Sequence, residues 1–125
     1  MSFDWSQYLT LAADLAARAP NSTSPEAWFR SSLSRAYYAA FQVARQDLER
    51  QGRYAPLTGD NAHAYVRDRL KQDPNPSRRK LAFDLERLRT DRNEADYEDV
   101  VQGLETMVSS ALILAQRVVS TLGQA

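Results

Sequence analysis

The chain has no cysteine, which removes disulfides, thiol nucleophiles and thiolate metal sites together. It has a single histidine, so a zinc site, which needs several imidazole or thiolate ligands, is not expected. An excess of one charge is missing too: sixteen basic residues balance sixteen acidic ones in 125. No global field therefore draws the protein to nucleic acid or to an anionic membrane, and any such binding must come from a local patch. The longest purely apolar run, "ALILA", is far too short to span a bilayer, and "MSFDWSQYLTL" at the start lacks the basic-then-apolar layout of a signal peptide. Only four glycines are present, none in a phosphate-binding loop pattern. The expectation is a soluble, cytoplasmic protein with no metal and no cofactor.

Alternating β-branched runs are also absent, while Ala, Leu, Arg, Glu and Gln dominate, which reads as an all-α chain. The first helix is expected from about Ser2 to Ala19, with Tyr8, Leu11, Leu15 and Ala19 at helical spacing and Pro20 closing it. The second starts at Ser24 as N-cap with Pro25 in the first position and Glu26 favourable to the dipole. Along it Phe29, Leu33, Tyr37, Phe41, Ala44 and Leu48 step by three or four until Gln51, where Gly52 supplies the stop. A loop with Pro56 and Gly59 leads to Asp60, which caps a short helix over 61–72. In the fourth helix Asn75 caps, Pro76 takes the first position, and Leu81, Leu85 and Leu88 form the apolar stripe. Stepping that stripe on by four aims Arg92 where a core leucine is expected. The last helix is read from about Asp99 to Leu122, with Val100, Leu104, Val108, Ala111, Ala115, Val118 and Leu122 nearly heptad in spacing. One domain over 1–125 results, an up-and-down bundle of four main helices and one small one. The aromatics of the second helix, Trp28, Tyr37, Tyr38 and Phe41, have two readings, intrachain core or the face of a homodimer.

Fourteen of the sixteen cations are arginine, a residue suited to bidentate pairing with carboxylate or phosphate, although a codon preference gives the same bias. Arg35 lies in a segment poor in charge, and Asp96 is similarly placed beside Ala95 and Tyr97. An Arg35–Asp96 pair is expected on that ground, with a solvent-exposed Arg35 as the competing account. Arg89, Arg92 and Asn93 share one face of their helix. The trio is suited to a phosphate, and equally to surface bridges with Glu86, Asp91 and Asp96, each worth about 0.3–0.5 kcal/mol. His63 has no nucleophile beside it and reads as a packing or capping group, while Glu94 and Glu98 read as a solvated acidic surface.

Three segments in this order, "SRAYYAAFQVA" at 34–44, "NAHAYV" at 61–66 and "LRTDRNEADYED" at 88–99, followed by a long terminal helix, resemble the HEPN domain family in its small stand-alone bacterial and archaeal branch. The likeness covers about residues 24–122. It implies a helical bundle that dimerises, and for many members a toxin–antitoxin pairing with a minimal nucleotidyltransferase. Active members are metal-independent RNases whose signature is an arginine followed after four to six residues by histidine. Histidine moves the 2′-hydroxyl proton near neutrality and arginine steadies the phosphate. Here Arg92 is followed by no histidine at all, and Asp96 and Tyr97 stand near its place. His63 matches a recurrent family histidine other than the catalytic one, and Tyr97 sits near a tyrosine that is AMPylated in some members.

Three readings follow. In the first, the chain is a binding or regulatory module that takes RNA, a nucleotide or a protein partner through Arg89, Arg92, Asn93 and Tyr97. The second is a toxin-type endoribonuclease in which His63 or Tyr97 replaces the missing base, with Arg92 and Asp96 as further catalytic candidates. The third makes Arg35, Arg92 and Asp96 a buried network that fixes helix register.

Overall fold

The computed structural model describes residues 2–54 and 61–123, and among these there is no strand. In chain order the helices are α1 Gln7–Arg18, α2 Pro25–Arg50, α3 Asn61–Lys71, the single turn α4 Pro76–Arg79, α5 Leu81–Tyr97 and α6 Leu104–Leu122. A 3₁₀ turn over Ala19–Asn21 links α1 to α2. The expected loop at Pro56 and Gly59, and the Asp60 cap, lie outside the described residues.

Helix α2 is the centre of the bundle and packs against α1, α3, α5 and α6. Helix α2 carries the buried Ala36, Ala40 and Ala44 and α6 the buried Ala111 and Ala115, and the two helices pack together; short side chains let packed helices approach closely. Around this seam Leu33, Leu48, Leu81, Leu85 and Leu88 are almost fully buried, each contributing about 1.5–3 kcal/mol relative to exposure. Tyr37 and Phe41 are buried, and Trp28 and Tyr38 pack against the same core. All four aromatics of α2 thus contribute to the intrachain core, Trp28 and Tyr38 with part of their surface still open.

Helix ends carry most of the differences from expectation. Asp4 accepts from the amide and hydroxyl of Ser6 at 3.0 and 2.6 Å, a local turn that delays α1 to Gln7. The buried face of α1 is Leu9 and Ala12, while Leu11 is exposed. Pro25 opens α2 as expected, but the Ser24 side chain makes no cap bond. Gly52, at φ +69°, closes α2 in a Schellman arrangement: its amide donates to Glu49 O at 3.0 Å and that of Arg53 to Leu48 O at 2.8 Å. Asn75 caps by accepting from the Ser77 amide at 2.9 Å. The helix it starts gives way after one turn, and α5 begins at Leu81. Helix α6 begins at Leu104 and not at Asp99, because Gly103 takes a left-handed φ of +64° and breaks the ladder. Val100 lies in that connection and is exposed, so it leaves the expected stripe.

A buried ionic cluster ties the ends of α2, α3 and α4 together. Arg78 donates to Asp47 and, at 2.7 Å, to Asp73, which also receives Arg53 at 3.2 Å. Both aspartates are buried. Burial works to raise the Asp73 carboxyl, but hydrogen bonds from Arg78, the Asn75 amide and Arg53 outweigh it and hold the group below the usual carboxylate range.

Candidate functional site

The stripe Leu81, Leu85, Leu88 is buried, and the next step along it is Arg92, whose side chain is only 17 % exposed. Such a guanidinium needs partners, and it has three. Nε donates to Asp96 at 2.9 Å, one terminal nitrogen to Asn93 Oδ1 at 3.0 Å, and the other to Tyr38 Oη at 2.9 Å. The group also lies over the rings of Tyr37, Tyr38 and Tyr97, at 5.4, 5.2 and 5.9 Å, a cation–π cage. Arg92 therefore fastens α5 to α2.

Asp96 is engaged by Arg92, not by Arg35. The Arg35 guanidinium instead stacks on Tyr8 and Tyr38 at 4.9 and 5.3 Å, and among the described residues it has no carboxylate partner. The two side chains do line one small cavity between α2 and α5. The expected pair is replaced because a carboxylate four residues along the same helix reaches Arg92 without leaving it.

Of the surface bridges anticipated for the trio, only Arg92–Asp96 forms; Asp91 is taken at 3.0 Å by Arg87, which is outside the trio. Glu86 is taken by His63 and Arg67, at 3.2 and 3.1 Å. Arg89 is left with no carboxylate and no hydrogen-bond partner among the described residues. It lines an open groove of about 770 Å³ along the second half of α5, with Asn93, Tyr97, Glu94, Glu98 and Val100. Tyr97 is 73 % exposed there. Two adjacent rows at i, i+4 spacing form the wall: Arg89, Asn93 and Tyr97 in one, Thr90, Glu94 and Glu98 in the other.

His63 does not line this groove. It is 5 % exposed, with Nδ1 at 3.0 Å from Tyr37 Oη and Nε2 at 3.2 Å from Glu86, and its ring stacks on Phe41. Burial pushes its pKa down, and Arg89 adds to that against the pull of Glu86. Burial likewise pushes Tyr37 up to about 12, although Arg89 and Arg92 oppose it. For Glu86 burial works upward, but hydrogen bonds from Arg67 and His63 outweigh it and lower the carboxyl. An ionised Glu86 only accepts, so the neutral ring carries its proton on Nε2 and accepts the Tyr37 hydroxyl at Nδ1. His63 is a satisfied core histidine.

Two features escaped the sequence reading. Helix α5 has no basic residue in its last turn, and Glu94 and Asp96 stand at the negative end of its dipole, where acids are unfavourable. Arg30 of α2 supplies the missing cation, donating to the carbonyls of Ala95, Glu98 and Asp99 at 2.8, 2.6 and 3.1 Å. The acidic end without its own base was the available signal. The second is that Glu94 and Glu98, read as a solvated acidic surface and left without side-chain partners among the described residues, line the same groove as Arg89. Among the described residues no group of His, Asp or Glu is arranged to hold a metal ion, and no helix is long and apolar enough to cross a membrane. Compared with known proteins, the chain matches no family model, no curated protein and no solved structure.

Proposed function

We propose that this chain is a HEPN-like binding module without nuclease activity, and that its groove on α5 takes a nucleoside phosphate, free or as the end of an RNA strand. The observation that carries the reading is Arg89, a guanidinium without a carboxylate, in the same groove as the exposed ring of Tyr97. Arginine is matched to phosphate, and an open aromatic face stacks on a base for about 1–3 kcal/mol. Asn93 supports the same ligand: its Oδ1 is used by Arg92, which leaves the amide NH₂ as a donor. Arg92 contributes by holding Asn93 and Tyr97 in place.

Cleavage needs a group that takes the 2′-hydroxyl proton. Of the candidate bases, Asp96 is paired with Arg92 and His63 is enclosed between Tyr37 and Glu86, neither of them in the groove; Tyr97 is in the groove, but its hydroxyl has no partner among the described residues to take its proton. Labelled RNA incubated with the protein in EDTA is therefore expected to stay intact. The toxin–antitoxin setting and a nucleotidyltransferase partner come from the family resemblance alone, the homodimer from that resemblance and the aromatics of α2, and the binding reading needs none of them.

Calorimetric titration with adenosine and guanosine monophosphate tests the proposal. Saturable binding is expected, weakened roughly tenfold or more in Arg89→Ala, the loss of a charge-assisted contact of about 1.5–3 kcal/mol. Binding unaffected by that substitution, or no binding at all, would overturn it.

A further inference from the structure

The groove holds one more open acid than open base. Arg89 and Arg92 face Glu94 and Glu98, and Arg92 is already balanced by Asp96. Neither glutamate carboxylate has a side-chain partner among the described residues. A run of phosphodiesters gains nothing here, since one open arginine is offset by two open carboxylates a turn or two away. The wall suits a ligand with one anionic end and one donor-rich end.

We propose that the groove selects guanine nucleotides, with Glu94 as the residue that reads the base; the inference rests on the nucleotide-binding reading above. A carboxylate only accepts hydrogen bonds, two at a time and side by side. Guanine is the common base whose Watson–Crick edge offers two adjacent donors, N1–H and the exocyclic N2 amine. Adenine and cytosine offer one amine beside a bare ring nitrogen, and uracil sets its single N–H between two carbonyls that repel a carboxylate. Phosphate on Arg89 and base on Tyr97 run along one row of α5, and Glu94 stands in the neighbouring row three residues before Tyr97, where the edge of a base stacked on that ring comes within its reach. Asn93 lines the same groove with its Oδ1 used by Arg92, so its NH₂ is the group left to complement guanine O6. Glu94 is half-buried on the helix, whereas Glu98 follows its last turn and is exposed, so Glu94 is the better fixed of the two.

The test titrates the whole chain with the monophosphates of guanosine, inosine, adenosine, cytidine and uridine at neutral pH. Guanosine monophosphate is expected to bind roughly tenfold or more tighter than the uridine compound, the discrimination of one bidentate pair. Inosine, which lacks only the N2 amine, should fall between. In Glu94→Gln the preference should collapse to within about twofold while uridine binding is retained, with an unchanged thermal melt showing that the variant is folded. Equal binding of all five, or a guanine preference that survives in Glu94→Gln, overturns base reading while leaving Arg89-dependent nucleotide binding intact. Binding of none of them overturns both.

Discussion

Two arginine-rich regions of this molecule use the same residue types to opposite ends. At the junction of α2, α3 and α4, Arg78 and Arg53 meet the buried Asp47 and Asp73, and every charge has its counterion. Along the second half of α5, Arg89, Glu94 and Glu98 stand in one groove without pairing to anything described. The difference is geometric. At the first site the cations arrive from different segments and converge on carboxylates held below the surface. At the second the open charges share one helix face, where i, i+3 and i, i+4 spacing sets neighbours but water competes for every bond. Composition therefore does not tell a clasp from an open groove; closure of the charge balance does.

The largest effect should come from breaking the closed site. Arg78→Ala leaves two buried aspartates short of a partner and is expected to cost about 3–5 kcal/mol in urea unfolding, with no loss of nucleotide affinity in whatever fraction remains folded. Arg89→Ala should do the reverse, changing stability by less than about 0.5 kcal/mol while removing binding. If both variants lose stability alike, the contrast fails.

Arg92 lies between these limits, and Arg92→Ala should cost about 1–3 kcal/mol. A double-mutant cycle should find coupling between Arg92 and Asp96 and almost none between Arg35 and Asp96. Strong Arg35–Asp96 coupling would mean that Asp96 exchanges partners in solution.

Titration separates the buried groups by sign. His63 has a lowered folded pKa, so the unfolded chain binds more protons and stability is lost as pH falls below the ordinary 6.5 towards the folded value. His63→Gln should flatten the urea midpoint across that window. Asp73 is also lowered, so its contribution is present above the usual carboxylate value and is lost as pH falls through the folded one. Asp84 runs the other way: burial pushes its carboxyl up despite Arg117, so protonation favours the fold, and Asp84→Asn should remove that small gain on acidification. Arg35→Gln, where only stacking on Tyr8 and Tyr38 is lost, should cost about 0.5–1 kcal/mol.

Apolar spacing made much of this legible in advance. The row Leu81, Leu85, Leu88 correctly aimed Arg92 inward, and Val108, Ala111, Ala115, Val118 and Leu122 form the buried face of α6. Helix starts were less readable, since periodicity does not register that Asp4 folds back on Ser6 or that Gly103 turns left-handed before α6. Pairing across helices was least readable. Arg30 reaches residues more than sixty positions away, and Asp96 had two arginines to choose from, a choice made by side-chain reach and not by spacing in the chain.

The three carbonyls held by Arg30 also govern how the groove moves. A helix end rich in acids would ordinarily fray on its own, exchanging its amide hydrogens at little free-energy cost. Here the last turn of α5 is fastened to α2, the most buried helix of the bundle, so opening that turn means first releasing Arg30. The amides of Ala95 to Glu98 should thus exchange on the slow timescale of the core, and the ligand proposed for Tyr97 would meet a face already in place, without an ordering cost at the moment of binding.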